Sequence, residues 1–200
     1  MPRRPVTSPP PANPWRTLST RPVYANPWIS VREDEVVRAD GSSGIYGVVS
    51  MGTAVGVVAL TEDDEVVLVG QWRYALGEYS WELPEGGADE GESPRAAAAR
   101  ELAEEAGYAA RDWSDLVGPL AVSNSVTDQR CWLFLARGLE EVPVAPDPTE
   151  ALQTARVPVD EVLELIDDGS ITDALTVIGL LALERRRRRS PLDATGATTK

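Results

Sequence analysis

The 200-residue chain contains no histidine. A Ser-His-Asp or Cys-His nucleophile therefore cannot be built, and acid–base work is left to carboxylates, lysine, tyrosine or an ion-activated water. A single cysteine, Cys131, excludes an internal disulfide and, with no histidine beside it, argues against a zinc site. Positive charge is scarce. Nineteen Lys and Arg face 32 Asp and Glu, a formal charge of −13, and such a chain repels nucleic acid and anionic membrane unless its basic residues are concentrated locally. No stretch approaches the roughly 18 apolar residues of a membrane span, and MPRRPVTSPPPANPW lacks the apolar core of a secretory signal. The expected compartment is the cytoplasm.

Against these absences stand 42% hydrophobic residues, enough to build the core of one domain of ordinary size. Residues 1–14, rich in Pro and without periodicity, read as a disordered tail, and 190–200 as another. RPVYANPWISVREDEVVRADG reads as two short strands ending in a turn at Asp40-Gly41, and IYGVVSM as a third. AVGVVALTEDDEVVLVGQWRY suggests two strands joined by the turn Glu62-Asp63-Asp64, and WELPEGG a short strand ending in a glycine pair. A helix is predicted from Ser93, with serine as N-cap, Pro94 at the first helical position and Gly107 as terminator. LVGPLAVSNS and RCWLFLARGL look like paired strands, PVAPDPTEAL is a Pro-rich acidic loop, and VPVDEVLELIDDG and TDALTVIGLLALERRRRR are amphipathic helices. This order lacks regular βαβα alternation. It predicts an α+β sandwich, with helices packed on a mostly antiparallel sheet.

The chemistry is concentrated in GGADEGESPRAAAARELAEEAGY, residues 86–108. Residues three or four apart share a helix face, so Glu101, Glu104 and Glu105 lie together, with Glu92 just before the N-terminus. A solvated acidic face is the plain alternative. Against it, the like-charge Glu101–Glu105 pair costs an isolated helix about 0.2–0.5 kcal/mol, and the adjacent Leu102 and Ala106 require burial nearby. A partly buried carboxylate cluster needs a cation. Oxygen donors without nitrogen or sulfur select Mg²⁺, Mn²⁺ or Ca²⁺.

The same stretch resembles the Nudix box, G-x5-E-x7-R-E-U-x-E-E-x-G-U with U apolar. Gly86, Glu92, Arg100, Glu101, Leu102, Glu104, Glu105 and Gly107 stand in register, and only Tyr108 departs, mildly, from an aliphatic last position. Seven fixed positions match by chance on the order of once in 10⁸–10⁹ starts.

The resemblance implies a Nudix-type α/β/α sandwich with a mixed sheet over residues 51–189. It implies hydrolysis of a nucleoside diphosphate linked to another group, using Mg²⁺ or Mn²⁺. Glu101 and Glu105 become the expected metal ligands, assisted by Glu104 and the carbonyl of Glu85. Gly86 and Gly107 become structural box positions. Glu92 and Arg100 would orient the ligands, the alternative being a surface ion pair.

QWRYALGEYSWELPEGG, 71–87, resembles the segment before the box in ADP-ribose and nucleoside-diphosphate-sugar pyrophosphatases, which implies that Arg73 reaches the substrate. Residues 15–50 resemble the N-terminal strand element through which those enzymes form homodimers. An aromatic of that element stacks on the base there; Trp28 is the candidate, with Tyr24 behind it and a core position for Trp28 as the alternative. In PDPTEAL, Glu150 corresponds to a catalytic loop glutamate of the subfamily, with Asp147 nearby and a solvated acid as the alternative.

Three positions depart from the pattern, the first two bearing on specificity and the third harmless if only its carbonyl binds the ion. Asn124 and Gln129 stand where ADP-ribose pyrophosphatases commonly carry a proline and an acidic residue, and Glu85 replaces a small one. The leading expectation is a metal-dependent pyrophosphohydrolase of ADP-ribose or a related nucleotide sugar. The alternatives are a housecleaning hydrolase of oxidised triphosphates or dinucleoside polyphosphates, and a non-hydrolytic nucleotide sensor. Arg185–Arg189 reads as the polar end of a helix rather than a nucleic-acid patch, and Cys131 as a core residue.

Overall fold

The alternation of apolar residues along the chain is resolved in a computed structural model that describes residues 12–144 and 151–189. The chain divides into two compact units, one ending at Met51 and taking in Ser123–Asp128, the other formed by the remainder.

In the first unit β1 (Arg16–Ala25), β2 (Ile29–Val37) and β3 (Ser43–Met51) form an antiparallel sheet in that order. Short side chains set both turns. Asn26 Oδ1 accepts from the N–H groups of Trp28 and Ile29 at 2.9 and 2.8 Å, and Asp40 Oδ1 from that of Ser42 at 2.9 Å, beside Gly41 at φ +83°. Every residue of β1 is exposed, as are Tyr24, Trp28 and Ile45.

The second unit contains β4 (Ala54–Ala59), β5 (Glu65–Arg73), β6 (Glu78–Glu82), β7 (Glu85–Gly87), α1 (Pro94–Ala106), β8 (Tyr108–Ala121), β9 (Arg130–Glu141), β10 (Gln153–Pro158), α2 (Val159–Asp167) and α3 (Ala174–Arg189). Two sheets result, β7-β4-β9-β8 and β10-β5-β6, antiparallel except for the β4–β9 pair. Side chains of β4 and β5 alternate between two cores. Val55, Val57, Val67 and Val69 pack with Ala98 and Leu102 of α1, whereas Val58, Val66 and Leu68 pack with Val162 of α2 and Leu180 and Leu183 of α3. Helices on both faces explain why these strands are continuous apolar runs, and the α/β/α layering agrees with the expected α+β class.

Local expectations held at the box helix. Ser93 Oγ accepts from Ala96 N at 3.2 Å, and Gly107 ends the helix at φ +72° in the left-handed region. As expected, the acidic turn Glu62-Asp63-Asp64 joins β4 to β5; the two strands ladder with other partners and lie in different sheets. β10 was not foreseen, since QTARVP has few apolar residues; its strand is imposed by the edge of β5, in register from Gln153↔Gly70 to Pro158↔Glu65.

Candidate active site

Helix α1 carries its carboxylates on two sides. Glu101 and Glu105 are 9% and 5% exposed, on the face that buries Ala98 and Leu102, whereas the Glu104 side chain is 41% exposed. Burying two carboxylates one turn apart requires counter-groups, and the chain supplies them in two forms.

The first is Arg100. Its Nη1 donates to Glu101 Oε1 at 2.9 Å and to Glu104 Oε2 at 3.0 Å. Its Nη2 donates to the carbonyl of Gly87 at 2.7 Å and to Glu92 Oε2 at 3.0 Å. One guanidinium thus joins three box glutamates to the strand ahead of the helix, which is more than a surface ion pair. Hydrogen bonding to Glu92 raises the Arg100 pKa above its ordinary value. The same contact, with a backbone bond from Asp89, lowers that of Glu92.

The second is backbone. The N–H of Glu85 donates to Glu105 Oε2 at 2.9 Å. Glu101 lies against Gly86 so closely that a Cβ built there would meet its carboxylate carbon at 2.3 Å, which gives the first box glycine a steric reason.

Beside this cluster, Arg73 binds both carboxylate oxygens of Glu82 and, through Nη2, Glu85 Oε1 at 3.0 Å. Glu82 is only 2% exposed. Burial pushes the Glu85 carboxyl well above the ordinary range, and the negative charges of Asp173, Glu82 and Glu105 push the same way against Arg73. Glu85 Oε2 is buried without a hydrogen-bond partner. Glu82 and Asp173 were not among the sequence candidates. Glu82 could have been found by its phase, since Ser80 and Glu82 are the inward positions of β6; Asp173 carries no comparable local signal.

Of the other candidates, Trp28 is 79% exposed, so the core alternative does not hold for it. Glu150 and Asp147 lie outside the described residues. Gln129 Nε2 donates to the carbonyl of Gly52 at 3.2 Å. Cys131 is fully buried and its thiol is pushed up to about 12, chiefly by burial, as expected of a core cysteine. In the arginine run, Arg186 donates to Ser114, Arg187 to Asp64 and Arg188 to Glu184, so these three engage the fold's own acceptors.

A family model described as NUDIX domain matches residues 51–175. The chain belongs to the Nudix family. A second model, the nucleoside diphosphate sugar hydrolase N-terminal domain, matches residues 15–49. This Nudix chain is 31% identical over 172 residues to an ADP-ribose pyrophosphatase of Mycobacterium tuberculosis, covering 84% of it and 83% of that protein. It is 30% identical over 171 residues to the methanol dehydrogenase activator of Bacillus methanolicus, covering 84% and 92%. A solved ADP compounds hydrolase superposes with a TM-score of 0.79 over 88% of this chain and 95% of the other, at 24% identity, a likeness of fold. The protein is a Nudix pyrophosphohydrolase.

Nudix hydrolases generally use divalent cations, and the residues present suit one. Their side-chain donors are carboxylate oxygens, the donor set of a hard ion. Two of the carboxylates are buried, and glycine at position 86 makes room for that of Glu101. As they stand, no three Asp, Glu or Cys side chains among the described residues form a ready cage for an ion. Glu101 is turned to Arg100 and Glu105 to the amide of Glu85.

Proposed function

We propose that this Nudix hydrolase cleaves the diphosphate bond of ADP-ribose or a related nucleoside-diphosphate sugar, releasing AMP or another nucleoside monophosphate and a sugar phosphate. The observation that carries the reading is the buried Glu101–Glu105 pair set against the backbone of Glu85 and Gly86. Glu101, Glu105 and Glu104, with the carbonyl of Glu85, would hold Mg²⁺ or Mn²⁺. An ion held by these residues would supply charge to offset the diphosphate and would acidify a water for attack.

The chain's own groups do the rest. Arg100 and Glu92 keep the carboxylates in register, and a hydrogen-bonded network of this kind costs roughly 10–100-fold in ion affinity when broken. Arg73, anchored by Glu82, presents a guanidinium to the phosphates. Glu150 serves as the loop base. The nucleotide-sugar assignment draws support from the second family model at residues 15–49 and from the ADP-ribose pyrophosphatase relative.

The exposed strand β1 and its neighbouring apolar side chains support residues 15–50 as a dimerisation element, with Trp28 available to stack on a base. We assign the protein to the cytoplasm; no helix among the described residues is long and apolar enough to cross a membrane.

The deciding experiment is a panel of ADP-ribose, ADP-glucose, GDP-mannose, NADH, a dinucleoside polyphosphate and 8-oxo-dGTP with Mg²⁺ and then Mn²⁺, with Glu105→Gln as control. Metal-dependent monophosphate release from one nucleotide sugar, lost in the control, is the expected result. Turnover of the triphosphate or the dinucleoside polyphosphate alone would replace the substrate class. Nucleotide binding without turnover of anything would replace the enzyme by a sensor.

A further inference from the structure

The segment that crosses from β6 to β7 changes sheets, so its backbone leaves one ladder before joining the next. It holds Leu83 and Pro84 and delivers Glu85, and Leu83 is completely buried. Buried amides away from a ladder need other partners. Pro84 has no N–H to satisfy, and its carbonyl accepts from Val57 N at 2.9 Å. The two remaining donors are each met by a side chain from a different helix. Glu85 N donates to Glu105 of α1, and Leu83 N donates to Thr176 Oγ1 of α3 at 2.9 Å.

Thr176 is fully buried in the first turn of α3, where its own N–H donates to Asp173 Oδ2 at 2.8 Å. One turn further on, α3 approaches through Gly179. A Cβ there would meet Leu83 Cδ1 at 2.8 Å and Val58 Cγ2 at 3.2 Å, so a larger residue would displace the Leu83 side chain or the helix. The contact and the hydroxyl act on the same residue, Leu83.

We infer that Thr176 is a positioning residue of the active site: its hydroxyl, from the opposite side of the sheets to the box helix, fixes the crossing segment and thereby the backbone that Glu85 offers to the ion. This rests on the assignment of the Glu85 carbonyl to the ion site. The β-branched side chain has few rotamers in a helix, which suits it to holding one amide. Replacing the hydroxyl by a methyl leaves Leu83 N–H buried without an acceptor.

The test compares Thr176→Val, which keeps the shape, with Thr176→Ser, which keeps the hydroxyl. Mn²⁺ binding is followed by electron paramagnetic resonance, beside kcat and KM for the substrate found in the panel. Thr176→Val is expected to fold but to bind Mn²⁺ about tenfold more weakly, with kcat reduced and Thr176→Ser restoring both. Equal Mn²⁺ affinity in Thr176→Val and wild type would overturn the inference, as would a Thr176→Ser variant no better than valine. A wild-type chain that binds no Mn²⁺ would remove the ion site itself and the inference with it. Should the valine variant not fold, hydrogen exchange at Leu83 in the wild type decides. Slow exchange that slows further on adding Mn²⁺ supports the role, and exchange indifferent to the ion overturns it.

Discussion

The N–H of Glu85 donates to Glu105 Oε2 at 2.9 Å, so the residue before the first box glycine and the last glutamate of the box, 20 positions apart, meet in one hydrogen bond. That contact and the burial of Glu101 rank the carboxylates. Glu105→Gln and Glu101→Gln should each reduce Mn²⁺ affinity and turnover by at least about 100-fold, and Glu104→Gln, on the exposed side of α1, by less. Calorimetric Mn²⁺ titration of the three variants checks the order; equal losses would erase the distinction between buried and exposed ligands.

Gly86→Ala places a methyl within 2.3 Å of the Glu101 carboxylate carbon. Displacing Glu101 needs only a side-chain rotation, so the fold should survive while turnover falls by about 10–100-fold. Circular dichroism with steady-state kinetics separates the two, and wild-type kinetics in this variant would show that Glu101 does not need its place.

Arg73 is bonded to Glu82, which is buried, and to Glu85. Arg73→Gln strands those carboxylates and should cost about 2 kcal/mol, less than the 3–5 of a fully buried pair because the arginine side chain is 36% exposed. Arg73→Gln/Glu82→Gln should regain part of that stability in urea denaturation without regaining turnover. Recovery of both would make Arg73 a structural cation only.

Glu92 titrates below its ordinary value of 4.5 because Arg100 and the Asp89 amide favour its ionised form. The unfolded chain therefore binds the proton first as pH falls. The stabilisation is complete above about 4.5 and disappears as pH drops through the lowered native value. Stability–pH curves of wild type and Glu92→Gln should converge in acid and separate above 4.5; parallel curves would mean the ion pair adds nothing.

Glu150→Gln should lower turnover by orders of magnitude with folding and Mn²⁺ binding intact. Unchanged kcat would pass the base role to Glu105 or Glu104.

What the sequence determined by itself is the part of the site that is local. Ser93, Pro94 and Gly107 delimit α1 because caps and terminators act within one turn. The four-residue spacing of Glu101 and Glu105 fixes their shared face before any packing is known. Nothing in one segment alone reveals that Arg73 answers to Glu82 and Glu85, that β4 and β5 part into different sheets, or that Gln153–Pro158 becomes a strand. Trp28 was equally open, since an aromatic between two strands suits a core or a surface until its neighbours are placed. The bond from Leu83 to Thr176, 93 residues apart, is the furthest case. Tertiary structure alone decides it, because a buried amide takes whichever acceptor the packing of distant elements brings within reach, and no periodicity records that choice.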